Sequence, residues 1–304
     1  MSLSKYLYIP VIVKFGNYWT LCTRFNLLDR WNNVCDDYQD GRKCVACVKD
    51  LSTNLEGKLK KKIKYTLPNN RVIKRTLRHA KSTFSGLLSL VTSDTSVQAQ
   101  ELSLDFDEAD KQTGSGIFRR RRSALVGALN QASLVVPSSA RAGDILTNHG
   151  VSPELIRVIT PTTGNIYNKQ QLSESKAEIP LSIGYIGGIS VAKGTDILLD
   201  AFSEIDPEYG RLYIHGKGDA KIIQQIQNMP NVIYKGPYRQ DEIHSILDNI
   251  DIGVVPSVCE DVHPLVVLEF LSAGVPVMGS RIGGIPEQIT DGVNGLLFES
   301  SSIS

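Results

Sequence analysis

Residues 181–194 read LSIGYIGGISVAKG, and residues 251–274 read DIGVVPSVCEDVHPLVVLEFLSAG. Each opens on a short apolar run, breaks at a loop containing Gly or Pro, and passes into residues spaced for a helix. Strand, loop and helix in that order form the unit of a parallel sheet, whose strands are covered on both faces and therefore apolar throughout. The same rhythm extends outward from these two stretches. Strands are expected at 182–187, 211–216, 231–236, 251–256, 275–280 and 295–298. Helices are expected between them at 195–205, 220–228, 241–249 and 265–273, with a short one at 286–290. Breakers fall where such elements must end: Gly216-Lys217-Gly218, Gly236-Pro237 and Asp291-Gly292.

Upstream the pattern is looser. Strands are expected at 8–15, 133–137 and 156–160, and a helix at 119–132. Residues 161–180 lack periodicity and read as an interdomain linker. No internal repeat is present. The fold class is α/β, in two domains covering 1–168 and 169–304.

The 304 residues are 41% hydrophobic and 21% charged, which supports packed cores and excludes a disordered chain. No run approaches the ~20 apolar residues of a membrane-spanning helix. The opening Met1-Ser2-Leu3-Ser4-Lys5 lacks a signal-peptide pattern, so a cytoplasmic location is expected. The net charge of +1 is a cancellation. Residues 1–168 hold 24 Lys and Arg against 14 Asp and Glu, net +10; the remainder hold 9 against 18, net −9. Opposite signs point to two domains with different partners.

The stretch from Pro256 to Glu269 carries the chemistry. A strand ends at Pro256, an acidic loop follows, and a helix starts near Pro264. Proline suits a first helical turn because its missing N–H has no partner there. The N–H groups of Leu265 and Val266 then lie at the positive end of the helix dipole, a site for a diphosphate. Glu269, one turn further, can accept hydrogen bonds from two adjacent ribose hydroxyls. The plainer reading makes Glu269 a surface residue and Asp261 a capping acid.

These residues belong to a longer series. It comprises Gly187 with Lys193-Gly194, Gly216-Lys217-Gly218, Asn231 with Gly236, Asp251 with Pro256-Ser257, and Leu265-Val266-Val267-Leu268-Glu269. It continues with Ala273-Gly274-Val275-Pro276-Val277, Gly283-Gly284-Ile285-Pro286-Glu287 and Asp291-Gly292 with Asn294-Gly295. In order and spacing it resembles the donor-binding domain of glycosyltransferase family 4, retaining sugar-nucleotide enzymes of the GT-B fold. The resemblance implies two Rossmann-like domains with parallel sheets and donor contacts at Gly187, Gly188, Lys193, Gly216, Pro264, Leu265, Val266 and Glu269. Lys193 pairs with the diphosphate in this scheme, Glu269 holds the ribose, and Asp261, beside Glu269 the other catalytic position, faces the transferred sugar. Three departures stand out. Asp261 replaces a family glutamate, Gly188 stands where an arginine is frequent, and Gly16-Asn17 occupy the place of a His-Asp pair ahead of Tyr18-Trp19. Segments 133–138 and 150–159 match later strands of the first domain. A full first domain of this kind begins well before residue 8, and closing helices follow the last strand. The resemblance therefore implies an incomplete first domain and a second without its last helices.

Cys22, Cys35, Cys44 and Cys47, ending in a C-x-x-C pair, fit a structural zinc site, with iron–sulfur ligation or unligated thiols as alternatives. Cys259 reads as a loop residue and His263 as a packing residue where the family often has phenylalanine. The basic stretches 58–64 and 119–122 fit either a solvated face or an anionic membrane surface, which would make the protein peripheral at the inner face of the cell membrane. No nucleic-acid module is present.

The implied function is transfer of a sugar from a nucleotide-sugar donor to a polysaccharide, lipopolysaccharide or lipid-linked saccharide acceptor, with no cofactor for catalysis. Two other classes remain open: a non-catalytic remnant or partner subunit, and a sugar-nucleotide epimerase of the same fold.

Overall fold

The structure, a computed structural model, describes residues 10–22, 24, 26–29, 32–35, 39–47, 115–163 and 179–300. Two compact units are formed: Met1–Tyr38 with Arg120–Ser304, and Gln39–Arg119. In the second unit the described elements are a 3-10 turn at Gln39–Gly41, a helical stretch at 42–47, and the start of helix α1 (Ser115–Leu129). The basic stretch at 58–64 and most of the expected linker, 164–178, lie outside the described residues.

The first unit contains a six-stranded sheet of β3 (Leu181–Ile186), β4 (Gly210–His215), β5 (Val232–Gly236), β6 (Ile252–Val255), β7 (Val277–Ser280) and β8 (Gly295–Phe298). Every neighbouring pair is parallel, in the order β5-β4-β3-β6-β7-β8. The first three strands run one way across the sheet, and the chain then returns to lay β6 on the other side of β3. That reversal leaves a crevice beyond the carboxyl ends of β3 and β6, where open α/β sheets bind ligands.

Four helices cover the sheet: α3 (Thr195–Ser203), α4 (Ala220–Gln227), α5 (Ile243–Leu247) and α6 (Leu265–Ser272). Alternation along the strands divides the core. Tyr185 and Val254 pack with Leu198, Phe202, Ile222 and Ile226 of α3 and α4. Their chain neighbours Ile186 and Val255 pack on the opposite face with Ile243, Leu247, Val267 and Phe270 of α5 and α6. Side chains of consecutive strand residues point to opposite faces, so two apolar helix layers demand strands that are apolar throughout.

A smaller layer precedes it, with β1 (Ile12–Phe15) parallel to β2 (Leu134–Pro137), backed by α1 and α2 (Ala140–Asn148). Its core joins Phe15, Tyr18, Leu21, Val126, Leu129, Val135, Ile145 and Leu146, and takes in Val262 from the loop after β6. The expected strand at 156–160 is not one. Only a single parallel bridge, Val135 to Ile156, and the bonds Arg157 N–H to Val135 O and Ile159 N–H to Pro137 O are made. The expected helix at 286–290 is a 3-10 turn, Ile285–Glu287. No helix among the described residues is long and apolar enough to cross a membrane.

Candidate functional site

At the reversal point lies a cavity of about 290 Å³, lined by residues from four places in the chain. The loop after β3 supplies Gly187, Gly188 and Lys193; the loop after β6 supplies Pro256, Ser257 and Asp261; α6 supplies Leu265, Val266 and Glu269 behind Pro264; and the segment after β5 supplies Tyr238 and Gln240. Eight of the nine nucleotide-contact and catalytic positions expected from the sequence thus meet around one space.

Gly216 is the exception, since it is not among the lining residues. It sits at the end of β4, where a Cβ would run into the Gly187 carbonyl oxygen. Its part is to let the two strand ends approach, and Gly187 N–H reaches His215 O at 2.9 Å beside it. Gly194 has a comparable duty. With φ at +66° its backbone is left-handed, and any side chain there would strike the Pro256 carbonyl. The Lys193 loop is thereby pressed onto the loop after β6, an approach completed by Val258 N–H to Ala192 O at 3.2 Å.

Pro264 is the N-cap of α6, one position ahead of the first turn where the sequence reading put it, and it has no side-chain cap to offer. The first N–H groups of the helix have no carbonyl within it, and Leu265 and Val266 present theirs at the cavity wall. Glu269, four residues on, is half-buried on the same helix face as Leu265. Its Oε1 accepts from Gln240 Nε2 at 3.0 Å, and its charge, after burial, helps push the Tyr238 hydroxyl above the ordinary tyrosine value. Neither Tyr238 nor Gln240 carries a sequence signal: they follow the Gly236-Pro237 break and reach the cavity only through the fold.

Lys193 and Asp261 form an ion pair inside the cavity, with side chains 38% and 17% exposed. Burial alone would lower the Lys193 ammonium, but the charge and hydrogen bond of Asp261 overcome it and hold the group above the ordinary lysine value. Ser257 Oγ donates to Asp261 Oδ2 at 3.3 Å. Gly188 has no atom of the described residues within 4 Å of a Cβ placed there; its carbonyl accepts from Tyr185 OH at 2.6 Å. Cys259, whose carbonyl accepts from Asp261 N–H at 2.7 Å, is buried, and burial, aided by Asp261, lifts its thiol to about 11. At neutral pH it is a thiol rather than a nucleophile.

In the smaller layer Gly16 and Asn17 are exposed, and among the described residues Gly16 has no neighbour within 4 Å of a Cβ position. The Tyr18 hydroxyl is buried with no partner among the described residues, and burial, with Glu260 nearby, pushes it up. The arginine run of α1 is partly internal. Arg122 is 6% exposed and donates to Leu21 O from Nη2 at 2.6 Å and Nε at 3.0 Å, while Arg121 donates to Trp19 O. These two arginines fasten the 16–22 loop, a use that a membrane-facing reading of 119–122 misses. Cys22 and Cys35 are half-buried in the first unit; Cys44 is half-buried and Cys47 buried in the second. Among the described residues no three His, Cys, Asp or Glu side chains gather as a metal site.

Comparison with known proteins fits this geometry. The family model described as "Glycosyl transferases group 1" matches residues 180–304. Over that segment the chain is similar to the group 1 glycosyl transferases. An uncharacterised glycosyltransferase of Methanocaldococcus jannaschii is 32% identical over 124 residues, 39% of this chain and 34% of the relative. A D-inositol 3-phosphate glycosyltransferase of Corynebacterium diphtheriae is 26% identical over 193 residues, 56% of this chain and 45% of the relative. The chain thus spans less than half the length of these curated relatives. Among solved structures, Anabaena HepE in complex with UDP and glucose superposes with a TM-score of 0.52 at 24% identity, covering 60% of this chain and 54% of that one. The likeness establishes a shared GT-B fold.

Proposed function

We propose that the chain binds a nucleotide-sugar at the β3/β6 crevice and transfers its glycosyl group, with retention, to a saccharide or lipid-linked acceptor. One observation carries this reading: Lys193, the open first turn of α6 and Glu269 line a single cavity at the reversal point of the sheet. A cation and two N–H groups suit a diphosphate, and a carboxylate one turn away suits a ribose. The leaving diphosphate is stabilised by groups already in place, which is where such a site gains rate. Asp261 borders the same cavity from the loop that also reaches the smaller layer, a position suited to the transferred sugar. The segmental family match and the UDP and glucose held by the Anabaena relative support the assignment. The cavity needs no metal in this scheme.

A second reading, nucleotide-sugar binding without transfer, draws on the open space at Gly188 and Gly16, where the resemblance leads one to expect an arginine and a histidine. Calorimetric titration with UDP, GDP and ADP tests the binding site, and release of nucleoside diphosphate on adding candidate acceptors separates transfer from binding. Glu269→Ala is expected to weaken the preferred diphosphate about tenfold by removing one charged hydrogen-bond acceptor. Unchanged affinity in that variant would reject the ribose assignment.

A further inference from the structure

Glu260 and Asp261 adjoin in the chain, yet they serve different cavities. Asp261 borders the nucleotide cavity with Lys193. Glu260 borders a second space of about 400 Å³, shared with Arg141, Asn148 and His149. Arg141, in the first turn of α2, holds Glu260 there. Its Nε lies 3.1 Å from Oε2 and 3.2 Å from Oε1, and its Nη2 donates to Oε1. A guanidinium fork fixes a carboxylate in direction as well as in charge.

The helix that carries Arg141 is itself seated by the larger sheet. Glu287 accepts from the N–H groups of Ala140 and Arg141, both at 2.8 Å, and Ser139 Oγ caps Ala142 N–H at 3.2 Å. On the far side of Asp261, Val262 is buried in the core of the smaller layer. Asp261 is therefore bracketed by two anchors in that layer, Glu260 through Arg141 and Val262 through apolar packing.

We infer that Arg141 is a positioning residue for the nucleotide cavity: by holding Glu260 aside, it leaves Asp261 as the one carboxylate of the two that faces Lys193. This rests on the nucleotide-sugar reading above. Glu260 is only 4% exposed, and a buried carboxylate stripped of its partner is destabilised until it takes up a proton or turns toward water or another cation. Lys193 is a near cation, because it is paired with Asp261, the next residue along the chain. A second negative charge beside Lys193 opposes a diphosphate but leaves an uncharged nucleoside indifferent.

The test titrates the unaltered chain with UDP, GDP and ADP and with uridine, guanosine and adenosine, then repeats the best pair on variants. Arg141→Met is expected to weaken the diphosphate about tenfold with nucleoside affinity unchanged. Arg141→Met/Glu260→Gln is expected to restore it. If Arg141→Met does not fold, Arg141→Lys, which keeps the charge and loses the fork, is expected to show the same selective loss at about threefold. Equal loss for diphosphate and nucleoside would reveal a merely structural role and overturn the inference. Unchanged diphosphate affinity would overturn it alone, whereas failure of the unaltered chain to bind any nucleoside diphosphate would overturn the nucleotide reading with it.

Discussion

Gly188→Arg is expected to tighten nucleoside diphosphate binding. Among the residues lining the cavity, one cation, Lys193, stands against two carboxylates, Asp261 and Glu269, and Lys193 is already paired with Asp261. A diphosphate must therefore be held chiefly by α6 N–H groups and a partly neutralised ammonium. Position 188 borders the cavity, is exposed, and has no atom of the described residues within 4 Å of an added Cβ. The Tyr185 bond there uses the Gly188 carbonyl, which the substitution keeps. An arginine–phosphate hydrogen bond contributes about 1.5–3 kcal/mol when sheltered, and an exposed ion pair about 0.2–1 kcal/mol. A site on the cavity rim lies between, at about 1.4 kcal/mol, or tenfold in Kd. Calorimetry at about 0.05 and about 0.5 M salt should show the gain shrinking as charges are screened. Gly188→Glu should shift affinity the opposite way, and the matching nucleoside should not respond to either change. Equal affinities for the three chains would refute the placement of the diphosphate beside residue 188.

Asp261→Asn frees Lys193 from its ion pair, so nucleoside diphosphate affinity is expected to rise about two- to fivefold while glycosyl transfer falls, read by calorimetry and by acceptor-dependent diphosphate release. His263 has both ring nitrogens buried without a partner among the described residues, and burial lowers its pKa from 6.5 against the opposing pull of Glu287 and Asp261. His149 and His215 are lowered as well, chiefly by burial. Below pH 6.5 the unfolded chain binds more protons than the folded one, so stability falls with pH until the folded values are passed. His263→Phe should raise the melting temperature through about 1 kcal/mol of relieved desolvation and make the decline from about pH 7 to about pH 5 shallower. A decline as steep as in the unaltered chain would remove His263 from the account.

The larger sheet was legible because each strand is a local apolar run and each connection carries its own Gly or Pro signal. Residues 182–187 were expected as a strand and Leu181–Ile186 is one; 251–256 were expected and Ile252–Val255 is one. Helix α6 was equally plain, since Leu265–Ser272 is nearly all apolar and stops at Gly274, whose positive φ ends it. The smaller layer was read less well. Residues 156–160 have the composition of a strand but make only a single bridge, because pairing depends on which backbone lies alongside. A run of four arginines looks alike in sequence whether it meets solvent or a carbonyl; only the structure shows Arg122 turned inward to Leu21.

Of the residues that line the cavity, those that announce themselves by local grammar were expected from the sequence, and those brought in by distant contacts were not. Lys193, Leu265 and Glu269 sit at strand ends and a helix start, where parallel α/β architecture places ligands. Gln240 and Tyr238 reach the cavity from a segment with no such mark. Glu260 shows the limit most clearly: the spacing to Glu269 pointed to Asp261, and nothing in the sequence said where the acid beside it would turn. The choice between them is made from 119 residues away, by the fork of Arg141 on Glu260, on a helix whose first turn rests on Glu287. A local pattern can place an acid in a loop, but the direction in which that acid points is a property of whatever counter-charge the rest of the fold brings to it. In the proposed scheme, the charge facing Lys193, and with it the affinity for a diphosphate, is therefore set jointly by both layers of the first unit, although the cavity is walled by the larger sheet.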